Sequence, residues 1–322
     1  MQAATVIIIG GGPAGATCAR ELGKHGIDVL VLDKCEFPRT KLCAGWITPK
    51  VLAELELTPR DYPHSITCYR RIRFHFRGVP VPVPTHQYAI RRREFDHFLL
   101  ERAGVPVHRH AAGHIRKSGG TYIIDDAYQC EYLVGAGGTH CAVYKNLFSE
   151  LHPRDPEHCI VTMEEEFPFQ WDDPECRLWF FDHGLPGYSW YVPKQDGHLN
   201  VGIGGKLSAL KKRGETINAH WHRFIEKLAG KGLAGGYRFS PKGHMYYLRG
   251  RTDAVHRENA FIIGDAAALA SRDMGEGIGP AIESGKLAAA SIISGSAYSV
   301  QAVSRWSAPR VLSGRRAAPA GA

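Results

Sequence analysis

Near its amino terminus the chain reads Gly10-Gly11-Gly12-Pro13-Ala14-Gly15, a G-x-G-x-x-G spacing. Between a strand and a helix, residues in that pattern can cradle a pyrophosphate, and each glycine has its own reason. Gly10 permits a tight turn, Gly12 lets backbone approach the phosphates, and Gly15 lets the following helix pack on the preceding strand. With Pro13 and Ala14 in its first turn, that helix offers unpaired N–H groups and a positive dipole to the anion. Asp33 ends the next apolar run, 18 residues beyond Gly15. Its carboxylate can accept from both ribose hydroxyls and would repel a 2′-phosphate. The pattern leaves NAD and FAD both open. A second glycine cluster lies far along the chain, where residues 260–263 (AFII) deliver Gly264-Asp265 and residues 272–283 read RDMGEGIGPAIE. Further chemistry-bearing residues stand at Cys43 and along an aromatic stretch with Tyr188, Trp190 and Val192 at alternate positions. His108 and His110, and His220 and His222, lack companion ligands at usable spacing, so surface histidines and no metal site are expected.

These groups need elements to hold them. Residues 5–9 (TVIII) and 28–32 (DVLVL) are continuous, β-branched apolar runs, as in strands buried on both faces of a parallel sheet. Between them Ala14, Cys18 and Leu22 recur at helical spacing, predicting a helix over 14–24. The pattern changes over 62–87. Ile72, Phe74 and Phe76 alternate with Arg71, Arg73, His75 and Arg77, a half-exposed antiparallel strand, and VPVPVP at 79–84 suits an edge. A helix is predicted over 94–103. Strands are predicted over 105–108, 122–124, 132–136, 160–170, 177–181, 189–192 and 200–203, and helices over 216–229 and 281–293. Parallel-type regions at the two ends thus bracket an antiparallel middle.

The composition agrees with a globular protein: 322 residues, 44% hydrophobic and 22% charged. It excludes a disordered chain, a coiled coil and a small disulfide scaffold. The net charge of +8 admits nucleic-acid, anionic-membrane or phosphate partners. Half of the excess lies in residues 294–322, where Arg305, Arg310, Arg315 and Arg316 stand without an acid. No nucleic-acid-binding motif accompanies the charge, so no nucleic-acid partner is expected. Eight cysteines without a C-x-x-C pair suggest reduced thiols and a cytoplasmic protein. No apolar run approaches the roughly 18–20 residues of a membrane helix.

The two glycine clusters together resemble FAD-dependent oxidoreductases with the p-hydroxybenzoate-hydroxylase fold. The resemblance implies that Asp265 binds a ribityl hydroxyl. It also implies that the loop of Gly275, Gly277 and Ile278 turns N–H groups to the flavin N1–C2=O edge, stabilising the reduced anion. Arg92-Arg93-Glu94-Phe95-Asp96 matches that family's R-x-x-F-D element, whose arginine contacts FAD. Residues 37–45 (FPRTKLCAG) resemble the segment beside the isoalloxazine ring, which brings Arg39, Cys43, Ala44 and Gly45 to the cofactor along with Lys34. Residues 133–143 resemble an element that carries an Asp-Gly pair, with Gly137 here in place of the aspartate.

Two stretches are similar to the geranylgeranyl reductase-like branch: Cys43-Ala44-Gly45-Trp46-Ile47-Thr48-Pro49, and Tyr188-Ser189-Trp190-Tyr191-Val192-Pro193 followed by Val201-Gly202-Ile203-Gly204. The latter matches Y-x-W-x-F-P…V-G-x-G, with Val192 for the phenylalanine. This implies a substrate wall of Trp46, Tyr188, Trp190 and Val192, with Tyr188 and Cys43 as candidate proton donors. The implied activity is reduction of C=C bonds in an isoprenoid or similar hydrophobic substrate. Hydride would come from reduced FAD, recharged by NAD(P)H or a ferredoxin-type reductant, and peripheral membrane contact would suit such a substrate. Because flavin halogenases carry W-x-W-x-I-P on the same strand, the alternative is a monooxygenase, hydroxylase or halogenase acting on an aromatic small molecule.

The expected fold is α/β: a Rossmann-like FAD-binding domain with an inserted antiparallel β-sheet substrate lobe. The domain would comprise residues 1–61, 88–150 and 250–293, and the lobe residues 62–87 and 151–249. Residues 294–322 are expected to form a disordered tail. Family members usually continue there with helices that close the substrate pocket, so this chain is expected to be shortened or altered at that point.

Overall fold

The apolar runs near the amino terminus become the middle of a parallel sheet. In the computed structural model, which describes residues 1–307, β1 (Gln2–Ile9) lies between β2 (Val29–Asp33) and β9 (Tyr128–Gly135), with Ile8 opposite Val31 and Val134. β6 (Val107–Arg109) extends the sheet beyond β2, and β16 (Ala260–Ile262) extends it beyond β9, both in parallel. β15 (His256–Arg257) closes one edge, and the hairpin β7 (Ile115–Ser118)–β8 (Thr121–Ile124) joins β9. Val6, Ile7, Ile8, Val31, Leu32 and Val134 are fully buried. Helix α1 (Pro13–Lys24) packs against both α3 (Arg92–Ala103) and α6 (Ile278–Ser294).

That packing is very close. A Cβ on Gly15 would lie 1.9 Å from the Gly10 carbonyl oxygen, and one on Gly285 would lie 2.5 Å from that of Ala14. Only hydrogen at these two positions lets α1 settle on its own turn and α6 settle on α1.

The second sheet has the order β14 (Lys242–Tyr247), β10 (Cys159–Pro168), β13 (His198–Lys206), β12 (Gly187–Lys194), β11 (Arg177–Phe180), β4 (Thr67–Phe76), β5 (Val79–Ala89) and β3 (Trp46–Ile47). Helix α5 (Ile217–Gly230) covers one face, burying Trp221, Phe224 and Leu228 against Trp179, Leu199 and Val201. Two short helices, α2 (Pro49–Glu54) and α4 (Leu207–Lys212), complete the described elements of α type.

Two features differ from the sequence reading. The sheet is not wholly antiparallel, since β11 runs parallel to β4, with Leu178 opposite Phe74 and Phe180 opposite Phe76. The chain leaves β5 for the first sheet and re-enters through β10, and a long connection does not force the reversal that a hairpin does. Trp46 and Ile47, expected in the cofactor domain, form β3 at the end of the second sheet. In the VPVPVP stretch, prolines 80, 82 and 84 alternate, so their missing donors fall on one side of β5, where β3 does not reach.

The disorder expected from residue 294 is corrected over its described part. Tyr298, Val300 and Val303 are buried in the first core. The buried Arg249 guanidinium donates to the carbonyls of Val300 and Val303, and Glu283 accepts from Ser304 N–H at 2.6 Å. Three apolar side chains and a cation meeting bare carbonyls supply what periodicity did not reveal. The rest of the expected tail, residues 308–322, lies outside the described residues. Replacement Arg249→Met should cost about 2–4 kcal/mol by leaving two buried acceptors unpaired, and should open residues 295–307 to protease. Unchanged urea midpoints and cleavage patterns would contradict this anchoring.

Candidate functional site

A cavity of about 1070 Å³ lies between the two sheets, above the roughly 300–1,000 Å³ usual for small-molecule sites. One end is the glycine-rich turn. Gly10 has φ +112°, and a Cβ there would meet the Ala136 carbonyl oxygen at 2.5 Å. Gly12 differs: a Cβ there would touch only the Arg39 guanidinium, at 3.4 Å, so the absent side chain leaves room in the cavity itself. No side chain among the described residues caps α1, and its first-turn N–H groups stand where an anion can take them. The Asp33 carboxylate accepts from Gly11 N–H and Cys35 N–H, both at 2.8 Å, and is thereby aimed along the cavity rim. Gly10, Gly12, Pro13, Ala14, Asp33, Lys34 and Arg39 all line the space. Gly15 stands behind it as packing.

The next wall comes from α3 and the 37–45 segment. Arg92 grips the fully buried Asp96 through two hydrogen bonds of 2.7 and 2.9 Å, and Arg39 approaches the same carboxylate at 3.4 Å. Asp96 thus holds two guanidinium groups at the cavity. Gly45, with φ +78°, has no room for a side chain, since a Cβ would lie 2.0 Å from the Ile90 carbonyl oxygen. Its role in the structure is to press Cys43, Ala44 and Trp46 into the lining. Gly137 is less tightly placed: a Cβ there would lie 3.1 Å from Cys141 Cα.

At the far end, Asp265 lies beside Gly277, whose Cβ position is 3.2 Å from Oδ1. Gly264 takes φ +57° and holds this turn to α6 through a 3.0 Å bond from its N–H to Ser284 Oγ. Gly275, at φ +65°, makes room for the Tyr246 hydroxyl, which a Cβ would approach to 2.2 Å. Asp265, Gly275, Gly277 and Ile278 all line the cavity. Glu276, missed in the sequence, accepts from Gly279 N–H at 2.6 Å at the start of α6, and burial pushes its carboxyl up to about 7.

The remaining wall is the second sheet, read across its strands. One row runs Phe76, Phe180, Tyr188, Gly204, Thr162, His244; the next runs Phe74, Leu178, Trp190, Gly202, Glu164, Lys242. Each passes from aromatic side chains through a glycine to polar ones. A Cβ on Gly202 would lie 2.2 Å from the Trp190 ring and 2.7 Å from Glu164 Cβ. The indole therefore lies across Gly202, and its Nε1 donates to Asn200 Oδ1 at 2.7 Å. The Tyr188 hydroxyl donates to the Met274 carbonyl at 2.6 Å. Cys43 Sγ accepts from Gly45 N–H at 3.3 Å. Val192 shares the face of Tyr188 and Trp190 but does not line the cavity, because it is wholly buried among Tyr69, Ile72 and Leu178.

Sequence reasoning also missed Lys41, His244 and Glu164. Lys41 contacts His244 Nε2 at 2.7 Å. Burial, then the Lys41 charge, pulls the His244 imidazole down to about 4, and burial likewise lowers Lys41. Glu164 and His244 carry no motif, and strand register brings them to the cavity, whereas Lys41 comes there with the 37–45 segment.

A family model described as FAD dependent oxidoreductase matches residues 5–96. An uncharacterized protein of Methanosarcina barkeri is 31% identical over 90% of this chain and 74% of its own length. The menaquinone reductase of Mycobacterium tuberculosis is 26% identical over 89% of this chain and 76% of its own. Digeranylgeranylglycerophospholipid reductase 1 of Methanopyrus kandleri is 26% identical over 88% and 78%. Among solved structures, a geranylgeranyl bacteriochlorophyll reductase-like protein of Thermoplasma acidophilum superposes with TM-score 0.77 at 22% identity, covering 92% of this chain and 80% of that one. A flavin-dependent brominase does so with TM-score 0.70 at 17% identity, covering 92% and 81%. These two show the fold.

FAD fits the residues present. The open position at Gly12 faces Arg39 for the pyrophosphate, Asp33 is poised for a ribose, and Asp265 and the 275–278 loop close the far end. Asp33→Ala should weaken FAD retention about ten- to a hundredfold, the worth of charge-assisted hydrogen bonds of about 1.5–3 kcal/mol. Flavin absorbance after gel filtration checks this, and full retention by a folded variant would reject the ribose assignment.

Proposed function

We propose, from the premise that this chain belongs to the FAD-dependent oxidoreductases of the geranylgeranyl reductase-like family, that it reduces C=C bonds of an isoprenoid lipid or similar hydrophobic substrate. The observation that carries the reading is the apolar side of the second sheet. From Trp190, the wall continues through Leu178 and Phe74 to Val81, and from Tyr188 through Phe180 and Phe76 to Val79. The Phe76 and Phe180 rings stack at 4.8 Å. At the outer end Phe76, Val79, Val81 and Phe181 are exposed, so an apolar track runs from the cofactor cradle to the surface. A polyprenyl chain suits such a track, and the substrates in the names of the mycobacterial and Methanopyrus relatives both carry one.

When bound, FAD supplies two-electron hydride chemistry, recharged in this proposal by NAD(P)H or a ferredoxin-type reductant. The chain's own residues do the rest. Arg39, Arg92 and the α1 N-terminus bind and orient, while Trp190 and Tyr188, each held by a hydrogen bond, keep the reacting face dry and positioned. An isolated alkene is a poor hydride acceptor, so position and protonation must lower its barrier together. The exposed rim is where the far end of the lipid would emerge, and the protein would rest on a membrane only peripherally. No helix among the described residues is long and apolar enough to cross one.

The test is anaerobic: the flavoprotein is reduced, a geranylgeranyl lipid is added, and mass spectrometry reads the gain of two hydrogens per double bond. Unchanged lipid over several chain lengths and headgroups, with rapid reoxidation in air coupled to oxygenation or halogenation of an aromatic compound, would replace this reading by the monooxygenase or halogenase one. Trp190→Ala should lower turnover on the lipid about a hundredfold through misplacement of the substrate. A variant that retains FAD yet turns over normally would remove Trp190 from the wall.

A further inference from the structure

We infer that Glu164 is the acid that protonates the double bond as its neighbouring carbon accepts hydride; the inference rests on the reductase reading and deepens it. Glu164 stands on β10 among three successive glutamates. Glu165 faces the other side and accepts from the Tyr237 hydroxyl and Ser240 N–H. Glu166 pairs with Lys194 at 2.5 Å and Arg91 at 3.1 Å. Of the three, Glu164 lines the cavity with a buried oxygen, Oε1, that has no hydrogen-bond partner among the described residues, and the residue is only 3% exposed. It shares Gly202 with the Trp190 indole, so it stands where the apolar track meets the cofactor end.

Two neighbouring acids are engaged elsewhere: the Tyr188 proton is given to the Met274 carbonyl, and the Glu276 carboxyl accepts the Gly279 N–H at the start of α6. His244 is held neutral beside Lys41. The groups facing Glu164 are Glu166 on its own strand, Lys194 and Tyr188 on β12, Lys242, His244 and Tyr246 on β14, Arg92 on α3, and Lys41. Burial outweighs the attraction of Lys194 and Lys41 and pushes its carboxyl up to about 8, so a proton is available at neutral pH.

The step balances. The π bond breaks, one alkene carbon gains the hydride and the other gains the Glu164 proton, giving two C–H bonds. The two electrons come from the NAD(P)H or ferredoxin-type donor through the cofactor, and water reprotonates the carboxylate.

Glu164→Gln keeps the shape and removes the acid. Anaerobic single turnovers with a geranylgeranyl lipid should slow about a hundredfold or more, while flavin content and quenching of tryptophan fluorescence by the lipid stay unchanged; Glu164→Asp should restore part of the rate. Two readouts need no turnover. Infrared spectra of the wild type at pH 7 should show a protonated carboxyl band that Glu164→Gln lacks. The carboxyl also sits higher folded than unfolded, so the native state keeps the proton longer. Stability should therefore fall as pH rises from 4.5 to about 8, and Glu164→Gln should flatten that slope. If the wild type saturates the lipid and Glu164→Gln does so at a similar rate, or if the infrared band is absent, Glu164 is not the donor. If the wild type leaves every polyprenyl lipid unchanged, the reductase reading falls and this inference falls with it.

Discussion

The site depends on how closely α1 and α6 approach each other. Their N-termini face one cavity because Gly15 lets α1 lie on the Gly10 turn and Gly285 lets α6 lie on the backbone of Ala14. Gly264, whose Cβ position is 3.2 Å from Ala14 Cβ, holds the Asp265 turn in the same cluster. A methyl group on Gly285 would push the two helices apart and one on Gly15 would lift α1 off its own turn, separating the Gly12 end of the cavity from the Asp265 end. Residues more than 240 positions apart thus meet through contacts that only small residues allow.

The second sheet uses the same device differently. Gly202 leaves a gap in a strand, and the Trp190 indole fills it from one side while Glu164 borders it from the other. A side chain there would separate the aromatic and acidic halves of the wall. This gives the V-G-x-G stretch a physical meaning: the glycine does not bind a phosphate but lets a neighbouring strand's aromatic ring lie flat against the sheet.

Two carboxylates beside the cavity are each shared by two cations. Asp96 is bracketed by Arg92 and Arg39, and Glu166 by Lys194 and Arg91. Such buried pairs hold direction more than they add stability. They hold the cavity's guanidinium groups in place, while the Glu164 Oε1 at the cavity has no hydrogen-bond partner among the described residues. The net charge of the chain has no part in this arrangement.

The cofactor end was legible in the sequence because its physics is local. A tight turn, a helix start and an acid at the end of the next strand all fall within one β-α-β unit, so residue type and spacing carry the information. The same holds for the Tyr188–Trp190 alternation, since side chains two apart share a face of any strand. What the sequence could not decide was which strands lie beside one another. Three consecutive glutamates at 164–166 read alike, and only the pairing of β10 with β13 and β14 turns one to a tyrosine, one to a lysine and one to the cavity. The parallel pairing of β11 with β4, the burial of Val192 among Tyr69, Ile72 and Leu178 and the packing of residues 295–307 beneath Arg249 arise in the same way. Each depends on contacts between segments far apart in the chain, whose partners are chosen by packing and not by local preference.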